Sequence, residues 1–168
     1  MMHLGVTVFD MQTKLAGYPT AQHGFALTPN VCRAKSEGTV RLRSADPSAP
    51  PLIDFRYFTD PEGYDERVMV AGVKRAREIA AQPALREWIA RELTPGPEVQ
   101  SDADISAYVR GTANTVYHPA GTCKLGAADD PTAVVDPALR VRGITGLRVA
   151  DASIFPTMVG VNPNITVM

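Results

Sequence analysis

Proline placement constrains this chain more than any other feature. Pro29, Pro47, Pro50 and Pro51, with Asn30, fall between or just after the β-prone runs at the front of the sequence. Proline has no amide hydrogen and a fixed φ, so a ladder is interrupted wherever it stands. The runs are themselves short: "LGVTVF" at 4–9, "GFALT" at 24–28 and "GTVRLRS" at 38–44. In the last, Val40 and Leu42 alternate with Arg41 and Arg43, the period-two pattern of a strand with one polar face. The first sixty residues therefore read as antiparallel sheet with irregular connections.

Asp60 and Pro61 open a helix in this reading, an N-cap acceptor followed by a residue with no amide hydrogen to waste. Met69, Val73, Ala76 and Ile79/Ala80 form the apolar stripe, and Lys74, Arg75, Arg77 and Glu78 a solvated face, until Pro83. A shorter helix runs through Trp88, read as a core residue, to "TPGP". "SDADISAYVRG" is a third helix, opened by Ser101 and Asp104 and ended by Gly111. Beyond Gly111 the chain turns to loops and short strands, with "ITGLRVADAS" at 144–153 predicted as a strand carrying Leu147 and Val149 on one face.

The length of 168 residues suits one globular core or a large piece of one, at about 100–200 residues per domain. Seventeen basic residues against 18 acidic ones create no long-range field, so neither nucleic acid nor an anionic membrane is indicated as a partner. No apolar run nears the length of a membrane span, and "MMHLGVTVFD" lacks the features of a signal peptide, so a cytoplasmic location is expected. Cys32 and Cys123 are too far apart for a metal clamp and are expected to be free, buried thiols; no metal site is expected. Fingerprints for nucleotide loops, zinc proteases and nucleophile elbows are absent from the sequence.

Two segments carry candidate chemistry. In "NTVYHPAGTCKLG", 114–126, Pro119 biases His118 toward extended backbone while Gly121 and Thr122 permit a sharp turn, which aims the side chain. A fixed imidazole can take a hydroxyl proton or hold an alkoxide, and it can equally be structural. In "VGVNPNITVM", 159–168, Asn162 and Asn164 flank Pro163, either as a ligand-facing pair of amides or as a plain β-turn with side-chain hydrogen bonds. His23, in "TAQHGF", is expected in solvent.

Taken together, "VYHPAGTCKLG", "VVDPALRVRGITGLRVADASIFPT" and "NPNITVM" resemble the C-terminal part of the glucose-methanol-choline (GMC) family of FAD-dependent oxidoreductases. "MMHLGVTVFDM", "GYPT", "GFALTPNV", "GTVRLRS" and "DFRYFTDPEGYDERVMVAG" extend the likeness over nearly the whole chain, toward its choline-oxidising members. The resemblance implies that His118 and Asn162 are the catalytic pair before flavin N5. An alcohol would lose its hydroxyl proton, with His118 as acceptor, while its carbon passes a hydride to the flavin. It also implies that His3, Phe9, Val116 and Tyr117 bind the substrate, and that Asp151, Ala152, Asn162, Pro163 and Asn164 touch FAD.

The implied fold is α+β: an antiparallel sheet flanked by helices over 1–113, the partial substrate-binding domain. Residues 114–168 would hold the catalytic loops and a C-terminal strand and turn belonging to the FAD-binding domain. The glycine-rich βαβ unit that anchors FAD is not in this sequence, so the chain is expected to be a fragment. The implied substrate is choline, oxidised to betaine aldehyde and onward to glycine betaine, with O2 or another electron acceptor, and a homodimer follows by similarity. Alternatives are a choline dehydrogenase, another alcohol oxidoreductase of the family, and, in a different class, a non-catalytic remnant or interaction module.

Overall fold

The structure, a computed structural model, describes residues 2–5 and 11–168. Its order is β1 (Met2–Gly5), α1 (Met11–Leu15), β2 (Ala26–Pro29), β3 (Thr39–Arg41), β4 (Leu52–Asp54), α2 (Tyr64–Ala80), α3 (Pro83–Arg86), α4 (Asp102–Thr112), a 3-10 turn (Ala152–Ile154) and α5 (Asn164–Val167). The class is α+β with antiparallel strands, as expected. The strands pair as two separate ribbons, β1 with β2 and β3 with β4, both antiparallel. The prolines between runs account for the short ladders. Of the "LGVTVF" run, Leu4 and Gly5 lie in β1 and the rest lies outside the described residues; α1 and β4 carry no clear periodicity in the sequence.

The chain divides into two compact units, Met1–Val31 with Lys35–Glu37 and Tyr57–Asn114, and Cys32–Ala34 with Gly38–Arg56 and Thr115–Met168. In the first, α2 and α4 bury Val70, Val73, Ile105 and Val109 against each other, with Phe58, Met69, Val99 and Tyr108 packed around them. Gly72 lets α2 lie close on β2, for a Cβ there would come within 2.5 Å of the Pro29 Cβ.

The helix does not begin at Pro61. Asp60 accepts from the Tyr64 amide at 2.5 Å and the Asp65 amide at 3.3 Å, so it caps α2 from outside a turn. Gly63, at φ 61°, closes that turn and takes the N-cap position. Proline, with no amide to offer, and glycine, tolerant of positive φ, push the first helical residue on to Tyr64. Asp65, 3% exposed, accepts from the Lys35 amide at 2.9 Å and the Ser36 amide at 2.8 Å, pinning residues 35–37 to the helix. Burial pushes the Asp60 carboxyl upward, but the Tyr64 and Asp65 amides and the Ser36 hydroxyl outweigh it and hold the group below the usual aspartate range.

Three other expectations are corrected. Arg77 leaves the solvated face: its guanidinium pairs with Glu92 at 2.9 Å and donates to the carbonyls of Gly96 (2.9 Å) and Val99 (2.7 Å). A cation that satisfies loop carbonyls is worth half-burying. Trp88 is 76% exposed, because α3 stops at Arg86 and presents no face that covers the ring. Gly111 lies inside α4, which ends at Thr112 when Ala113 turns extended, while the Ser101 hydroxyl caps the start by accepting from the Asp104 amide at 3.1 Å.

The second unit has a thin core, with Ala133 and Val135 buried, and its β3–β4 ribbon leaves Val40, Ile53 and Leu52 exposed. The 144–153 strand is reduced to one bridge, Arg140 with Arg148, since Gly143 and Gly146 at positive φ turn the chain away. Cys32 and Cys123 are free and half-buried rather than buried.

Asp65→Ala strands two part-buried amides and is expected to lower stability by about 1–3 kcal/mol. Asp65→Asn, which keeps an acceptor oxygen, loses less; urea unfolding of the chain measures both.

Candidate functional site

The segment after His118 is the organising thread of the second unit. The amides of Gly121, Cys123 and Leu125 donate to the carbonyls of Ala152 (3.2 Å), Ser153 (2.8 Å) and Ile154 (2.9 Å). On its other edge the Lys124 carbonyl accepts from the Val134 amide at 2.8 Å, and the Gly126 amide donates to the Val135 carbonyl at 3.1 Å. Alternate amides of an extended segment point one way, so a stretch of six residues can bond to both neighbours at once. Gly121 is required here, at φ 83° and with its Cβ position 3.3 Å from the Phe155 carbonyl oxygen.

His118 itself is half-buried. Its amide donates to the Thr115 carbonyl at 3.2 Å, closing a turn through Val116 (φ 44°) and Tyr117 (φ 62°). The Tyr117 amide donates to the Thr115 hydroxyl oxygen at 2.8 Å, and the Tyr117 ring is 93% exposed. Thr115 is thus a residue of the loop that sequence reading passed over; its signal, a hydroxyl at the first position of a turn, is a common one.

Asp151 accepts from the Ser153 hydroxyl at 2.5 Å and the Ser153 amide at 2.8 Å, capping the 3-10 turn. Those two bonds, the hydroxyl foremost, hold its carboxyl below the ordinary range. Ala152 is half-buried and gives its carbonyl to Gly121. The Asn-Pro-Asn segment is no isolated β-turn: Pro163 is buried and precedes α5, while Asn162 and Asn164 are exposed. Beside it, the Arg33 guanidinium lies over Gly160, within 3.3 Å of where a Cβ would stand. His118, Val116, Tyr117, Asp151, Ala152 and Asn162 through Asn164 all belong to this one unit. Backbone bonds tie the His118 segment to 152–154, and do not reach Asn162.

His3 sits in β1 opposite Thr28, in the first unit, and Phe9 lies outside the described residues. His23 is exposed, as expected. A cleft of about 540 Å³ in the first unit is lined by Tyr18, Val99, Tyr108 and Thr112 with Glu98 and Asp104, and among the described residues no candidate lines it. Among the described residues no cluster of three potential metal ligands occurs, and no helix is long and apolar enough to cross a membrane.

Two side chains missed in the sequence brace the thread from below. Asp130 accepts from the Thr132 hydroxyl at 2.7 Å and amide at 2.8 Å and pairs with Lys124 at 3.2 Å. These bonds, the Thr132 hydroxyl first, draw its carboxyl down to about 2. Arg142 donates to the carbonyls of Asp130 (2.7 Å) and Gly126 (3.1 Å), and to that of Ala127.

A carboxyl depressed on folding stabilises above its unfolded value of about 3.9, and that contribution is lost as pH falls through the folded value. The Asp130 side-chain carbon should therefore titrate with a midpoint near 2 by NMR, moving toward the ordinary value in Thr132→Val; a midpoint near 4 in the parent chain contradicts the bonding described. Gly121→Ala forces a Cβ into a left-handed conformation and should cost about 1–2 kcal/mol in thermal or urea unfolding.

The family model described as GMC oxidoreductase matches residues 34–168. Choline oxidase of Arthrobacter globiformis is 62% identical over 168 residues, all of this chain and 31% of that protein. Oxygen-dependent choline dehydrogenase of Rhizobium rhizogenes is 46% identical over 142 residues, 84% of this chain and 26% of that protein. A solved formate oxidase superposes with a TM-score of 0.81 at 26% identity, covering 99% of this chain and 29% of that one. The chain thus spans under a third of the length of these relatives. With the family model matched across both the His118 thread and the Asn-Pro-Asn segment, the chain belongs to the GMC oxidoreductase family.

Proposed function

We propose that this chain is the C-terminal part of an FAD-dependent alcohol oxidase acting on choline, with His118 and Asn162 as its catalytic pair. The observation that carries the reading is the 62% identity to choline oxidase along every residue of the chain. The dehydrogenase reading rests on 46% identity over a shorter stretch and is the second choice. Residues 1–113 act as part of the substrate-binding domain, and 114–168 bring the catalytic loops and a segment of the flavin domain.

The residues present fit a flavin edge rather than a whole dinucleotide. Asn162 and Asn164 expose amides on either side of a buried Pro163, which fixes their spacing, and Asp151 and Ala152 close the neighbouring turn. Anchoring of the pyrophosphate and ribose falls to a glycine-rich βαβ unit elsewhere in the longer protein. FAD, when bound, supplies the acceptor for the hydride leaving the alcohol carbon.

His118 takes the hydroxyl proton or holds the alkoxide by hydrogen bond, from a backbone tied on both sides. Asn162 orients the substrate oxygen. A quaternary ammonium offers no hydrogen-bond donor, so it is held by ring faces, each contact being worth about 0.5–2 kcal/mol; by the family resemblance Tyr117 and Phe9 are assigned that role, and Val116 and His3 are further substrate contacts. The product is betaine aldehyde and then glycine betaine, O2 or another electron acceptor takes the electrons, and similarity to the family points to a cytoplasmic homodimer of the full-length enzyme.

His118→Ala in the full-length flavoenzyme carrying this chain should slow flavin reduction by choline about 10²–10⁴-fold in anaerobic stopped flow. Unchanged reduction removes His118 from the mechanism. The 168-residue chain alone, mixed with FAD and desalted, should retain no yellow colour; stoichiometric flavin would place the anchoring residues within it.

A further inference from the structure

We propose that Thr115 is the positioning residue of His118: its two oxygens hold Val116 and Tyr117 in a left-handed pair and so fix the direction in which the imidazole leaves the backbone. The inference rests on the reading of His118 as the proton-handling residue and adds what sets its aim. Positive φ at both central positions is the geometry of a primed turn, which glycine, asparagine and aspartate normally fill. Here the positions hold a β-branched valine at φ 44° and a tyrosine at φ 62°. L side chains in this region persist only where the surroundings over-determine them, and such residues cluster at active sites.

The Tyr117 ring does not supply that restraint, since it is 93% exposed. Thr115 does, through the Tyr117 amide on its hydroxyl oxygen at 2.8 Å and the His118 amide on its carbonyl at 3.2 Å. Downstream, Pro119 narrows the backbone of His118, and the Gly121 amide is fixed on the Ala152 carbonyl at 3.2 Å. His118 is therefore clamped between a turn and a bonded thread. Valine at position 115 would remove the hydroxyl without a change of shape and leave the carbonyl bond to the His118 amide in place.

The test is anaerobic reduction of the full-length flavoenzyme by choline in Thr115→Val, Thr115→Ser and His118→Ala. Thr115→Val should lower the limiting rate of flavin reduction about tenfold to a hundredfold, with the apparent substrate Kd changed less than about twofold. Thr115→Ser should restore the rate. A second measurement needs no flavin: in the 168-residue chain, hydrogen exchange at the Tyr117 amide should quicken about tenfold in Thr115→Val and not in Thr115→Ser. Slow reduction in His118→Ala beside wild-type rates in Thr115→Val overturns the positioning role alone, as does equal Tyr117 exchange in all three chains. Wild-type reduction in His118→Ala overturns the reading beneath it.

Discussion

The extended thread from Gly121 to Gly126 is the constraint on which the second unit depends. Its amides bond to Ala152, Ser153 and Ile154 on one edge, and its Lys124 carbonyl and Gly126 amide to Val134 and Val135 on the other. Three segments, one of them some thirty residues away, are thereby brought side by side with few buried side chains. Val135, fully buried, forms the core here with Ala133 and Pro163; the rest of the order comes from backbone pairing and from carboxylates and guanidinium groups that occupy loop carbonyls and amides. Backbone hydrogen bonds are individually modest in net worth, but an unmade one in a buried place is expensive, so a loop-rich unit is held to one arrangement by satisfying them.

The first unit is organised differently. Two helices supply an apolar seam through Val70, Val73, Ile105 and Val109, and buried carboxylates tie the connecting segments to it. Asp60 and Asp65 act on opposite sides of the α2 start, one capping the helix and the other seizing the amides of Lys35 and Ser36. Glu66 accepts from Ser106 and from the Arg110 Nε at 3.1 Å, which adds a polar clasp between α2 and α4 outside the seam. The Arg110 guanidinium also lies 5.5 Å from the centre of the Phe58 ring. Rigidity therefore comes from side chains in one unit and from main chain in the other, and the candidate catalytic loop grows from the main-chain one.

The helices were legible because their pattern is local. The stripe of α2 and the Ser101 cap of α4 are written in residues three and four apart, and both elements exist where that spacing indicates. What misled was also local: Asp60-Pro61 is a good helix opening in isolation, yet Gly63 offers the backbone a positive φ that moves the start three residues on. Trp88 and Arg77 changed places with respect to solvent for a non-local reason. Arg77 is drawn in by the carbonyls of the 92–99 loop, which it holds in turn, while Trp88 is left outside because α3 ends at Arg86. The strand at 144–153 failed because alternation of Leu147 and Val149 does not say whether a partner runs long enough beside it; glycines at 143 and 146 leave one bridge.

The sequence by itself determined the class of the fold, the two long helices α2 and α4, and the family, because apolar period and ordered motifs are properties of neighbours along the chain. It also marked His118 and the Asn162-Pro163-Asn164 segment as the residues able to do chemistry. Tertiary structure alone decided how the His118 loop is held: that Thr115 closes a left-handed turn before it, and that alternate amides after it seek carbonyls some thirty residues away. Such pairing depends on where hydrogen-bond donors find acceptors in space, and backbone groups are the same in every residue but proline, so no pattern of side chains could announce it.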